Sequence, residues 1–205
     1  MTRKGGVRER LLRTAADLIW DNGYGAVSVD QICARAGVLK GSFYHFFPSK
    51  SDLAVAAIED HWRRSRAEKD LAFSPLTEPL RRLSAWCALV RENQIKRLKS
   101  KGKVVGCPYS SIGSELSALD ERVRLKCHEM AERTCLYVET ALRDAQREGR
   151  IAPGDPRALA RELYAFVAGT VQQAKIDNDL APLDRLEDGV FRLVGLPALA
   201  DELTQ

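Results

Sequence analysis

The chain has 205 residues, 45% hydrophobic and 29% charged, with a formal net charge of +4, enough to bury a real core as one large domain or a small domain joined to a larger one. No run of 18 apolar residues and no long apolar stretch behind the basic start MTRKGGVRERLL exist, which excludes a membrane-spanning helix and a secretion signal and leads us to expect a cytoplasmic protein. The five cysteines (Cys33, Cys87, Cys107, Cys127, Cys135) are odd in number and contain no C-x-x-C pair, which argues against a disulfide framework and a zinc ribbon.

The periodicity predicts helices and nothing else. A first helix covers about 6–22, where Leu11, Leu12, Ala15, Leu18 and Ile19 recur at helical spacing and Asn22-Gly23 supplies the stop. A second starts at Ser28, which forms a capping box with Gln31, and ends at Gly37. A third spans about 39–46. Pro48 forbids its continuation, and Ser49 with Asp52 is expected to cap a fourth helix, over about 50–72, in the same reciprocal way. After Pro75 and Pro79 a fifth helix covers about 78–99. Residues 100–109, SKGKVVGCPY, read as a loop, followed by a short helix near 110–117. Asp120 caps a long helix that Gly149 closes. Asp155-Pro156 opens another to about 177, since proline at the first helical position forfeits no bond. Pro182 is expected to separate it from a last helix over 184–195. The fold class is therefore all-α, about nine helices, with no repeat and no low-complexity tract.

Residues 28–50, SVDQICARAGVLKGSFYHFFPSK, hold two short helices about a tight glycine-containing turn. This is the layout of a helix-turn-helix, in which the second helix enters the DNA major groove. The charge agrees. Residues 1–50 hold eight Lys/Arg and four Asp/Glu, while residues 51–205 hold 24 of each, so the whole excess lies in the segment with this pattern. Neutralising phosphates requires cations clustered where the DNA lies.

The stretch G-V-x-K-G-S-F-Y-H-F-F-P-S-K at 37–50 resembles the recognition segment of the tetracycline-repressor (TetR/AcrR) family of transcriptional regulators, through its turn glycine, its Lys-Gly pair, the aromatic pair Phe43 and Tyr44 and the lysine that opens the next helix. The motif covers about residues 7–60; the remaining helices match the family in number, length and order. The resemblance implies an all-helical homodimer. Its head, residues 1–50, would bind DNA. Its body, residues 51–205, would hold an effector and the dimer interface.

Seven residues of the head are candidates for DNA contact. Lys40 lies in the first turn of the third helix, where it can reach a guanine edge or a phosphate. Gly41 allows close backbone approach. Ser42 can donate to a base or a phosphate. Tyr44 is four residues past Lys40, on the same face, and the resemblance implies a hydroxyl-to-phosphate bond. His45, one step round, suits a base, a thymine methyl, a phosphate or plain solvent. Ser28 and Lys50 stand at helix N-termini, which favour phosphate. Phe43, Phe46 and Phe47 are assigned to the core.

The body is less legible. Trp62, Leu83, Trp86, Val90, Cys127, Met130 and Phe166 could line an apolar effector pocket or simply fill the core. Cys107, in Gly106-Cys107-Pro108, precedes a helix start, a setting that lowers thiol pKa, with Lys101 and Lys103 close in sequence. A Gly-Cys loop followed by G-S-E-L-S at 113–117 is also similar to a TetR subgroup that senses electrophiles or oxidants through a cysteine; a structural cysteine is the alternative. His128, Glu132 and Cys135 share a helical face, which we read as a satisfied or solvated face rather than a metal site. No cofactor is indicated. The stripe Ala160, Leu163, Tyr164, Val167, Ala168, Val171, with Leu186, Val190, Leu193 and Val194, suits a four-helix dimer bundle or an intramolecular core. We expect a homodimeric repressor that binds a pseudo-palindromic operator and is released by a small apolar or electrophilic effector or by an oxidant. The rivals are an activator or architectural DNA binder without inducer and a helical enzyme; against the last, no nucleophile elbow or phosphate-binding glycine loop is present.

Overall fold

A computed structural model describes residues 3–197. Of the head's cations, Arg3 and Lys4 have side chains outside this description. Among the described residues there are ten helices and no strand: α1 (Arg3–Asn22), α2 (Val29–Ala36), α3 (Lys40–Phe46), α4 (Lys50–Ala72), α5 (Pro79–Lys101), α6 (Pro108–Leu116), α7 (Glu121–Arg147), α8 (Pro156–Asp177), α9 (Ala181–Asp184) and α10 (Leu186–Leu193). No helix among them is long and apolar enough to cross a membrane.

Local chemistry sets the ends of these helices. The Ser28 hydroxyl accepts the Gln31 amide at 3.1 Å while Gln31 accepts the Ser28 amide at 2.7 Å, a complete capping box. Gly37, at φ 64°, closes α2. Asp120 accepts the amides of Arg122 and Val123, and Asp155 those of Arg157 and Ala158.

Several expectations need correction. Ser49 accepts the Asp52 amide, but its hydroxyl also donates to the Asp52 carboxylate at 2.6 Å, so the reciprocal box is replaced by a local side-chain pair. α5 continues to Lys101 because its last turn is closed by Gly102 at φ 71°, and α6 starts at Pro108, so the loop shrinks to 102–107. Pro182 lies inside the first turn of α9, where its missing amide forfeits nothing, so it does not separate the helices; a break at Arg185 divides α9 from α10 and brings the helix number to ten.

The described residues form two compact units, one of residues 3–65 with 108–130 and one of residues 66–107 with 131–197. In the first, α1 packs on α2, α3 and α6. Leu11, Leu12, Ile32, Phe43, Leu53 and Ile58 are fully buried there. In the second, the core takes Leu83, Trp86 and Cys87 of α5, Val138 and Leu142 of α7, Leu163 and Val167 of α8, and Leu186 and Val190 of α10. Much of the α8 stripe and of its α10 counterpart fills the unit's own core: Ala160, Leu163, Val167, Val171, Leu186, Val190 and Val194 are buried in a single chain, whereas Tyr164 and Ala168 are half-buried and Leu193 is exposed. For the buried members, burial of apolar area within the one chain accounts for their periodicity.

Candidate nucleic-acid interface

The recognition helix presents two contrasting sides. Phe43 is fully buried and Phe47 nearly so, and their rings stand 6.0 Å apart. Phe46 is half-buried. Arg8 lies over the Phe47 ring at 5.6 Å. With these aromatics as its anchor, α3 turns Lys40, Gly41, Tyr44 and His45 to solvent, with Ser42 half-exposed. Tyr44 packs edge-on against Phe43 with ring centroids at 5.1 Å and stays half exposed. His45 packs against Phe46 in the same manner. Nothing lies within 4 Å of where a Gly41 Cβ would stand, so this surface is open to a backbone approach.

Lys40 is not a lone cation. Its ammonium pairs with Asp30 of α2 at 2.8 and 3.1 Å to the two carboxylate oxygens, and the Asp30 hydrogen bond raises its pKa above the ordinary lysine value. Both groups are exposed, so the pair is screened and readily opened. Ser28 is exposed at the start of α2 and engaged as a cap. Lys50 is differently placed. Its ammonium donates to the carbonyls of Tyr24 and Val27, both at 2.8 Å, and lies 3.8 Å from the Tyr24 ring centroid. Burial lowers its pKa. Its charge is committed to the unit's own carbonyls and ring.

Three residues that sequence reasoning missed stand beside these. Leu39, at the N-cap of α3, is 80% exposed, a large apolar side chain at the mouth of the recognition helix. Asp30 orients Lys40. Glu115 of α6 accepts the backbone amides of Tyr24 at 2.7 Å and Gly25 at 2.5 Å. Leu39 could have been found from its place between the turn glycine and Lys40; the Glu115 contact spans ninety residues and left no local signal.

The effector candidates fall into both units. Trp62, Cys127 and Met130 are buried in the first; Leu83 and Trp86 are buried in the second, where Val90, Cys107 and Phe166 pack against the same core. Burial pushes the Cys87 thiol up to about 12 and the Cys135 thiol to about 11. Cys107 is half-exposed, at the end of a loop held from both sides. Buried Gln94 donates to the Gly106 carbonyl at 3.3 Å and accepts its amide at 3.1 Å, and the Asn178 side chain accepts the Val104 amide at 2.9 Å. Gly106 has φ 78°, and a Cβ there would stand 2.8 Å from Lys175 Cδ, so both conformation and space call for glycine. Lys69 interacts electrostatically with Cys107, and its own pKa is lowered by burial. On α7, the Glu132 carboxylate is held below its ordinary range, chiefly by the hydrogen bond from Arg161.

The comparisons agree with this architecture. Residues 11–57 match the sequence model described as bacterial regulatory proteins, tetR family, and residues 79–190 match that of the tetracyclin repressor-like C-terminal domain. The transcriptional regulator AcuR of Cereibacter sphaeroides is 30% identical over 177 residues, covering 85% of this chain and 79% of AcuR. The HTH-type transcriptional repressor NemR of Escherichia coli is 27% identical over 201 residues, 94% of this chain and 96% of NemR. Among solved structures, reduced E. coli NemR superposes with a TM-score of 0.79 over 94% of this chain and 99% of that one, at 27% identity. The regulatory protein TetR from Rhodobacter sphaeroides reaches 0.81 over 90% and 97%, at 29% identity. A helix-turn-helix with a polar recognition face, followed by a matching C-terminal body, places this chain in the tetR family of DNA-binding transcriptional regulators.

Proposed function

We propose that the protein is a repressor whose homodimer binds a pseudo-palindromic operator and is released when a small electrophile or oxidant reacts in its body. The division of labour is a DNA-binding head, residues 1–50, and an effector-binding and dimerisation body, residues 51–205. Ser28, Lys40, Gly41, Ser42, Tyr44 and His45 face the DNA, and Lys50 supports them from within the unit. The observation that carries the DNA reading is the two-sided α3, with Phe43 buried beneath exposed Lys40, Tyr44 and His45. A relative named as a repressor supports the sign of control.

Cys107 is the reactive group. It is half-exposed, whereas the other four cysteines are buried, and Cys87 and Cys135 have thiol pKa values raised to about 12 and about 11. Toward an activated alkene its thiolate attacks the β-carbon; the C–S bond forms, the alkene π pair moves to the α-carbon, and that carbon takes a proton from water. Release then requires that the modified body favour a state whose heads no longer fit the operator. The protein acts in the cytoplasm, where its DNA lies. Its dimer forms through α8 and α10, and the α8 surface left for a partner carries Ala165, Gly169 and Gln173 beside Phe166, since the apolar stripe is already used.

The test uses a duplex selected from a random pool by the wild-type protein. Lys40→Ala and Tyr44→Phe lower affinity in gel-shift titrations while the melting temperature holds. N-ethylmaleimide releases the wild-type protein but not Cys107→Ser. Wild-type affinity in both head variants removes these residues from the interface, and release of Cys107→Ser by the reagent rejects the cysteine as sensor.

A further inference from the structure

The turn between α1 and α2, residues 23–27, is held on both its hydrogen-bonding sides by single charged groups. On the amide side, Glu115 accepts from Tyr24 at 2.7 Å and from Gly25 at 2.5 Å, one through each carboxylate oxygen. On the carbonyl side, Lys50 donates to Tyr24 and Val27, both at 2.8 Å. Glu115 and Lys50 also interact with each other electrostatically. Gly25 fits this arrangement: a Cβ there would stand 3.1 Å from Glu115 Oε1. The turn leads directly into Ser28, the cap of α2, and α2 carries Asp30, which orients Lys40. Two further bonds fasten the same side of the unit. Asp120, just before α7, accepts from Ser51 Oγ, and Arg122 donates to the Asp52 carboxylate at 2.6 Å.

We propose that Glu115 is a positioning residue for DNA binding, its carboxylate clamping the Tyr24 and Gly25 amides so that α2 and α3 are carried in the geometry the operator requires. It touches no DNA itself. The inference rests on α3 being the helix that reads DNA, and it assigns α6 to the head's framework rather than to the effector site alone. Orphan amides at a turn are flexible when only water answers them. A carboxylate that answers two of them fixes the path of the chain between α1 and α2.

The sign of the effect separates this role from simple electrostatics. Removing an anion from a DNA-binding unit strengthens its attraction to phosphate. A positioning role predicts the reverse for specific DNA. Glu115→Ala is expected to bind the selected duplex roughly tenfold more weakly, the loss of two charge-assisted bonds, while its affinity for unrelated duplex stays level or rises. Glu115→Gln keeps one acceptor oxygen at the same reach and is expected to fall between the two. Hydrogen exchange of the peptide spanning residues 23–27, read by mass spectrometry, accelerates in Glu115→Ala and less in Glu115→Gln. Specific affinity at or above wild type in Glu115→Ala, or a glutamine variant as weak as the alanine one, overturns the proposal. If Glu115→Ala does not fold, the glutamine variant decides alone: wild-type specific affinity with faster exchange overturns it, and an affinity between wild type and unrelated duplex supports it. Failure of the wild-type protein itself to select any duplex strikes at the DNA-binding reading instead, and so is distinguishable.

Discussion

Lys40 offers its charge to DNA only after leaving Asp30, at 2.8 Å in the free protein. This costs little, because both side chains are more than half exposed and water screens the pair. The carboxylate nevertheless stays at the surface when DNA arrives, one negative charge beside the phosphates. Asp30→Asn removes it while preserving shape. We expect tighter binding to unrelated duplex, by roughly three- to tenfold at low salt, with the gain fading as salt rises. Affinity for the selected duplex is expected to rise by a similar factor, because the carboxylate repels the phosphates of every duplex alike. Fluorescence titrations across a salt series read both effects; unchanged affinity for unrelated DNA at low salt contradicts the argument. Asp30 thus holds Lys40 in the free protein at a cost in affinity, a role that its position in the second helix did not advertise.

At the scale of elements, Arg82 ties parts of the second unit together. It is buried near the start of α5 and donates to the carbonyls of Thr77 at 2.7 Å and Pro75 at 3.1 Å and to the Asp144 carboxylate at 2.6 Å. It thereby closes the loop after α4 and ties α5 to α7. Arg82→Ala leaves two carbonyls unanswered and the Asp144 carboxylate with Arg147 alone, at 2.9 Å, and a buried pair broken on one side costs about 3 kcal/mol. For a chain of this length that lowers the melting temperature by roughly 6–12 °C. Thermal melts of the dimer check it; a shift of a degree or two would mean that water replaces the guanidinium freely. The elements themselves were largely legible, for a physical reason. Ser28 with Gln31, Asp120, Asp155-Pro156 and Gly37 act on backbone groups within four residues, so the sequence window contains both partners. Pro182 misled because the same residue both ends and begins helices, and only the backbone decides which. The α8 stripe left two readings open because periodicity reports which face is buried and not what covers it. In the candidate site, the exposed residues of α3 were legible from spacing alone. The internal bonds of Lys50 and the reach of Glu115 to Tyr24 were not, since no pattern links residues brought together only by folding.

For the molecule as a whole, the balance of charge constrains how it meets DNA. The entire excess of +4 lies in residues 1–50, and the rest of the chain is neutral. Each chain therefore brings one short recognition helix and a small net charge, which is little to hold one half-site against competing DNA. Two chains related by a two-fold axis double both, and they bind with the spacing of their heads fixed. That geometry makes a prediction independent of any side chain. The duplex selected by the wild-type protein is expected to contain an inverted repeat. Inserting about five base pairs at its centre turns the second half-site roughly half a helical turn, onto the far side of the duplex, where the second α3 cannot reach it. Affinity then falls toward that for a duplex carrying a single half-site. Inserting about ten base pairs returns the half-site to the same face but roughly 34 Å further away, so binding recovers only as far as the dimer can stretch. Gel shifts over a series of insertions measure both terms, the rotation and the reach. A series in which affinity is indifferent to the insertion shows chains binding singly, and would remove the dimer from the proposed mechanism.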